Sequence, residues 1–526
     1  MRKILILGTS NSILRGGWVD GLRSSLPTAQ IDNRSIGASP GIQFASEIDH
    51  DFTHYDFVFF DSVPNDEEYQ YNREFSGNLE YSSEKFVNDI IYQICRKIST
   101  ESKLIILGFC RKQYINEISS VYENRIRIAM SLSVPFIDIR SILISYMRFY
   151  DLMVDDIYEE HPSHPNRNIS KTIGSALGDI IKSNELETIF CKSKKILPNL
   201  KINFSVWRPV PGKGYDVKSI SNSLFSESFA VLHNDDNINF NENGICIGFH
   251  INTCETNSSV SLSYKGKHIY NISLYYGNTP NKMLKIFIPI PHGTRLDCIT
   301  VGEFSDIAMK GLLSTSLLDN TNPIKFSISD VIFYHERDSL CWDSPLISKH
   351  ECMHISRKIE ALSLKNLPII NSSNILLEHI RRIPSTDFMK KNKFCIKTHH
   401  NTIICANLIN MSIGCYDIDT IKNRKYIIPI SAEIKNKNLN FYLDIPGINI
   451  FLYVEIKSGY LKFNINNNLD EYECFNVEYL CGLFFIKYKN FYLCSQPNGV
   501  VICNRNKASH WEKFSLAYIG NNWDLL

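Results

Sequence analysis

Four apolar residues, Ile4 to Leu7, run straight into Gly8-Thr9-Ser10-Asn11-Ser12, and this junction constrains the fold more than any other stretch of the chain. A buried strand that stops in small polar residues and passes into a helix presents a hydroxyl at the carboxyl end of a sheet. That is where open α/β sheets hold their ligands. The bland alternative is an ordinary turn whose hydroxyls cap the next helix. The next 170 or so residues suit a parallel sheet. Strand-like runs at Lys3–Leu7, Gln30–Asn33, Phe57–Asp61, Lys103–Leu107 and Pro135–Ile139 alternate with helical ones at Ser83–Ile98, Ile115–Leu132 and Ile169–Ile181. The expected first domain, residues 1–185, is a three-layer α/β fold of flavodoxin-like type with a mainly parallel sheet covered on both faces.

Three further stretches belong with the first. Ser35-Ile36-Gly37-Ala38-Ser39 follows the second strand, and Asp61-Ser62-Val63-Pro64-Asn65-Asp66 follows the apolar run from Tyr55 to Phe60. His161-Pro162-Ser163-His164-Pro165-Asn166 precedes the last helix of the domain. In this order and spacing the four resemble the four blocks of the SGNH (GDSL-like) hydrolases. The resemblance implies a serine nucleophile at Ser10, a close-approaching backbone N–H at Gly37, an amide donor at Asn65 and a general base at His164.

Such a set suits acyl transfer, because a serine hydroxyl needs a base and the tetrahedral oxyanion needs preorganised donors. Ser12 is the rival nucleophile. The spacing Gly8-x-Ser10-x-Ser12 is not the G-x-S-x-G elbow of α/β-hydrolases. Two departures from the family pattern stand out. Val63 occupies a position usually held by glycine, and His161 stands where the family places the aspartate that orients the base. A carboxylate among Asp155, Asp156, Glu159 and Glu160, or a backbone carbonyl, would then have to replace it, or else the site is a weakened dyad or inactive. His161 as the base repairs nothing, since Tyr158 lies three residues before it. Asp138 is expected as a helix cap and Cys110 as a buried thiol. No metal site is expected from two histidines without a third ligand, and no cofactor.

Beyond residue 185 the helix–strand alternation stops. Residues 186–345 carry short β-rich runs, Ile245–Ile251, Val260–Tyr264, His268–Leu274, Leu284–Ile290 and Lys325–Tyr334, expected as a β-sandwich or jelly roll. Residues 346–391 read as a connector with one or two short helices such as Asn374–Arg382. Residues 392–526 contain an internal repeat. Phe451–Gly459 matches Phe491–Gly499, Tyr472–Phe475 matches Trp511–Phe514, and a weaker copy begins at Ile403. Three copies at about forty residues resemble a β-trefoil of the fascin-like branch, a module that implies a glycan or protein ligand. The Trp511 and Phe514 side chains are expected in its core.

Charge excludes some partners. With 56 Lys+Arg against 55 Asp+Glu, the net charge of +1 gives no electrostatic case for nucleic acid or an anionic membrane. No run approaches the roughly 18 to 20 apolar residues of a membrane span. Arg2 and Lys3 precede too short an apolar run for a signal peptide. The 15 cysteines form no C-x-x-C pair. They are expected as reduced thiols of a cytoplasmic protein, with leaderless secretion as the alternative. The expected function is an SGNH-type serine esterase acting on an acylated carbohydrate, notably an O-acetyl ester, or another small ester. The alternatives are an O-acyltransferase on a polysaccharide and an inactive glycan- or protein-binding scaffold.

Overall fold

The computed structural model describes residues 1–71, 84–150, 152–158, 161–192, 203–276, 283–311, 314, 323–335, 345–366, 393–408, 412–424, 427–435, 438–445, 448–451, 453–457, 460–464, 475–480, 483–507 and 512–519. The chain divides into two compact units, Met1–Leu364 and Lys365–Leu526.

The first unit begins with a five-stranded sheet of β1 (Lys3–Leu7), β2 (Gln30–Asn33), β3 (Phe57–Asp61), β4 (Lys103–Leu107) and β5 (Phe136–Ile137), in the order β2-β1-β3-β4-β5. Every pairing is parallel. The strand order reverses between β1 and β3, and the crevice at such a switch point is where this architecture binds ligands. Ile4–Leu7 and Phe57–Phe60 are inaccessible to solvent, as strands covered on both faces must be.

The helices are α1 (Trp18–Ser25), α2 (Val63–Tyr71), α3 (Glu84–Glu101), α4 (Ser120–Leu132), α5 (Ile139–Tyr150), α6 (Val154–Ile157) and α7 (Arg167–Lys182). Two boundaries differ from the sequence expectation for a local reason. α4 starts at Ser120 rather than Ile115 because the Ser119 hydroxyl accepts the Tyr122 N–H at 3.1 Å and caps the helix there. β5 stops at Ile137 because Asp138 turns to cap α5, accepting the Ser141 N–H at 2.9 Å. α1 and α7 lie against one another through glycines. A Cβ on Gly21 would stand 1.9 Å from the Lys171 carbonyl oxygen, and one on Gly174 would stand 1.8 Å from that of Trp18.

The rest of this unit is mainly β. An 11-stranded sheet, largely antiparallel, contains Ile245–Asn252, Asn257–Tyr264, Lys267–Tyr275, Lys285–Pro289 and Lys325–Tyr334, close to the runs expected from sequence. Its core gathers Phe249, Ile251, Val260, Leu262, Ile272, Leu274, Ile288, Phe326 and Phe333. This β-domain is tied to the α/β layer by hydrogen bonds. The Phe287 N–H donates to Ser39 Oγ at 3.1 Å, and Gln93 Nε2 donates to the Tyr334 hydroxyl at 3.4 Å. Within the stretch expected as a connector, helices Lys349–Cys352 and His354–Asn366 are present. They dock on the α/β domain, where Ser356 Oγ accepts the Asp138 N–H at 2.8 Å and donates to the Phe136 carbonyl at 3.0 Å. The helix expected at Asn374–Arg382 lies outside the described residues.

The second unit is a 14-stranded antiparallel sheet. The three repeated segments each open a hairpin: Ile403–Asn407 with Ser412–Tyr416, Tyr453–Lys457 with Tyr460–Asn464, and Phe491–Ser495 with Val501–Arg505. Phe475 and Phe514, paired in the repeat, each begin a strand and are buried. Trp511 lies outside the described residues.

Candidate active site

The loop after β1 holds its hydroxyls in unequal settings. Ser12 is buried, donates to Asp61 Oδ2 at 2.8 Å and accepts from the Trp18 indole N–H at 3.2 Å. Thr9 donates to the same carboxylate oxygen at 2.9 Å, and its hydroxyl caps the short helical turn Ser10–Ser12. These two side chains build the loop and are spoken for. Ser10 is half-buried, and its Oγ lies 2.6 Å from His164 Nε2. Of the two candidate nucleophiles, only Ser10 faces an imidazole.

His164 is delivered by a turn pinned on several sides. Its N–H donates to the His161 carbonyl at 3.1 Å, the Ser163 carbonyl accepts from Asn11 Nδ2 at 3.1 Å, and the Pro162 carbonyl accepts the Lys112 N–H at 2.7 Å. Arg111 Nε donates to Ser163 Oγ at 3.2 Å. Asn166 then caps α7 through its side chain.

The second and third loops meet beside Ser10. A Cβ placed on Gly37 would lie 3.6 Å from Ser10 Cβ, in ordinary contact, which puts this backbone beside Ser10. Ala38, with φ of 52°, turns the chain away through the left-handed region. Asn65 Nδ2 donates to the Ser39 carbonyl at 2.9 Å, which sets the amide against the same loop with a second N–H to spare. Val63, at the position usually glycine in the family pattern, is buried at the start of α2 without breaking it.

No described carboxylate reaches the base. His161 lies face to face with His164, ring centroids 4.3 Å apart and planes 24° apart, and its Nδ1 accepts the Ser163 N–H at 3.1 Å. Burial, aided by His161 and Arg167 nearby, pushes His164 down to about 4. Burial and the Arg111 charge lower His161 as well. Asp155 pairs with Lys112, and Asp156 Oδ2 accepts the Met153 N–H at 2.8 Å. Neither can stand in for the missing acid. Glu159 and Glu160 lie outside the described residues. Asp138 is committed to Tyr122, whose hydroxyl donates to it at 2.6 Å, and to the α5 cap. The Cys110 thiol, 3.2 Å from the Tyr158 hydroxyl, is pushed up to about 12 by burial, the state of an inert thiol.

Two supporting acids carry little signal in the sequence. Asp61 ends β3 fully buried, and burial raises it to about 6 against the hydrogen bonds from Ser12 and Thr9. Asp66 accepts the Gly41 N–H at 2.6 Å and pairs with the buried Arg125 at 2.6 Å, fixing the second loop to α4. The signal for Asp61 is its place at a strand end; for Arg125 there is none, because a buried arginine reads as a surface residue.

No protein-family model matches the chain, and no curated protein matches it. Its α/β part is similar to solved structures at low identity. One is LAE5, an alpha/beta hydrolase from the metagenome of Lake Arreo, Spain, at 16% identity and TM-score 0.28, covering 36% of this chain and 95% of that one. A second is the acetyl xylan esterase AlAXEase, at 14% identity and TM-score 0.28, covering 34% and 98%. A third, from Parabacteroides merdae, is described as a GDSL-like lipase, at 11% identity and TM-score 0.27, covering 34% and 96%.

Proposed function

We propose that the chain is a serine-dependent ester hydrolase of SGNH type, with Ser10 as nucleophile and His164 as general base. The observation that carries this reading is the 2.6 Å contact between Ser10 Oγ and His164 Nε2, made at the switch point of a parallel sheet by residues 154 positions apart. In the proposed cycle the imidazole takes the hydroxyl proton as Oγ attacks the ester carbon. The backbone N–H at Gly37 and the free N–H of the Asn65 amide receive the oxyanion. Collapse of the adduct expels the alcohol, protonated by His164, and leaves an acyl-serine. Water, deprotonated by the same ring, releases the acid and restores the hydroxyl. Among the described residues His161, and no carboxylate, lies beside the base, so Ser10 and His164 are read as a dyad. The β-domain and the second unit favour a carbohydrate-linked O-acyl ester as substrate. Transfer of the acyl group to another hydroxyl uses the same intermediate. The three hairpins of the second unit support the β-trefoil reading, with a glycan or protein as its ligand.

A second reading, a binding scaffold, is favoured only by the lack of a carboxylate beside His164 among the described residues. The test is hydrolysis of p-nitrophenyl acetate by the wild type, Ser10→Ala and His164→Ala, with mass spectrometry of the protein after a fluorophosphonate probe. Activity lost in both variants and an adduct on Ser10 support the hydrolase. Equal rates in all three proteins and no adduct establish the scaffold.

A further inference from the structure

A cleft opens where the second loop of the α/β domain meets the β-domain. Ala38, Pro40, Tyr69 and Glu68 line one side, the Glu68 carboxylate paired with Arg111; Phe287, Pro289 and Met309 line the other. Asn65 lines it too, and Ala38 directly follows Gly37, so the cleft begins at the donors proposed for the oxyanion. The wall is fixed in place. The Phe287 N–H donates to Ser39 Oγ, and Ser39 also offers its carbonyl to Asn65. Met309 is buried on the strand Ile307–Lys310, where it pairs with Ile272. Lys310 stands exposed at the rim.

We infer that this cleft takes the acyl chain of the ester, and that the β-domain therefore sets which acyl group the enzyme accepts: a linear apolar chain longer than acetyl. The inference rests on the esterase reading above and adds to it the class of acyl group. A sugar ring needs several convergent polar groups, and these walls offer mainly aliphatic carbon, aromatic carbon and proline rings. A chain of about four to eight carbons removes apolar surface on both sides from water, at roughly fourfold in affinity for each buried methylene.

The experiment measures kcat/KM of the full chain on p-nitrophenyl acetate, butyrate, hexanoate and octanoate, with Met309→Trp and Met309→Ala alongside the wild type. In parallel, calorimetry measures octanoate binding to the Ser10→Ala protein, with and without Met309→Trp. Expected is a rise of roughly threefold to fourfold per added methylene beyond acetate in the wild type. Met309→Trp, which fills the cleft, removes that rise along the series and abolishes octanoate binding. Met309→Ala moves the optimum to a longer chain. A Ser10-dependent acetate rate with no gain along the series, or a gain that Met309→Trp leaves intact, overturns the inference while the esterase stands. Absence of Ser10-dependent hydrolysis on every ester, with octanoate still bound and displaced by Met309→Trp, removes the esterase reading and leaves the chain-binding cleft. Absence of both removes both.

Discussion

Replacing His161 with aspartate tests how far a carboxylate beside the base would offset the burial that holds it so low. The His161 and His164 rings lie 4.3 Å apart, so a carboxylate on the same backbone position stands close to the imidazole. At about 4 Å a unit pair attracts by about 4 kcal/mol for an effective dielectric near 20. His161 is solvent-exposed, and screening at such a site leaves about half of that, ~2 kcal/mol. The charge favours the imidazolium, so it raises His164 from about 4, by roughly 1.5 units. The same ~2 kcal/mol favours the imidazolium formed as Ser10 attacks, which is about thirtyfold in rate. Wild-type kcat/KM on p-nitrophenyl acetate should therefore hold down to an acid limb near 4, where the ring becomes protonated and cannot accept the serine proton. In His161→Asp the limb moves to roughly 5.5 and the plateau rises about thirtyfold. His161→Asn, similar in size and uncharged, moves the limb by no more than about half a unit. NMR titration of the His164 ring follows the same shift without turnover. A His161→Asp protein whose limb and plateau both match the wild type would falsify the claim that a negative charge at this position acts on the base.

Three other outcomes rest on the geometry. Asn65→Ala should lower kcat by about a hundredfold to a thousandfold with little change in KM, as expected on losing one oxyanion donor; a pure KM effect in steady-state kinetics would reassign the amide to substrate binding. Arg125→Ala strands the fully buried Asp66 carboxylate and should cost about 3 to 5 kcal/mol in urea unfolding, whereas a loss under about 1 kcal/mol would mean the pair is dispensable. Gly174→Ala drives a methyl into the Trp18 carbonyl oxygen and should cost about 3 kcal/mol, read as a lowered thermal midpoint; Ser175→Ala nearby should change it far less.

The parts of this fold that show in the sequence are those where one periodicity dominates. β1, β3 and β4 are uninterrupted apolar runs, and they fall on the residues expected because nothing local competes with burial. Ser10 and His164 are legible as members of ordered blocks, and they meet. What the sequence hides is the direction of individual side chains. Ser10 and Ser12 differ by two positions in a polar loop, and only the Asp61 carboxylate, 49 residues beyond Ser12, determines which is tied down. Asp155 and Asp156 sit near the base in the chain, yet one turns to Lys112 and the other to the start of α6. The β-domain wall of the cleft is equally invisible, because Met309 reads as one more core residue until Ala38 and Pro40 are found opposite it.

The glycine-to-carbonyl contacts between α1 and α7 carry a consequence for synthesis of the chain. Ser10 is synthesised long before the helix that seats His164, which ends at Lys182. A nascent polypeptide lacking that last segment has Ser10, Gly37 and Asn65 but no seat for His164 beside them. The Ser10–His164 pair is thus completed in a single event, when the closing helix clicks into the groove left by two missing side chains.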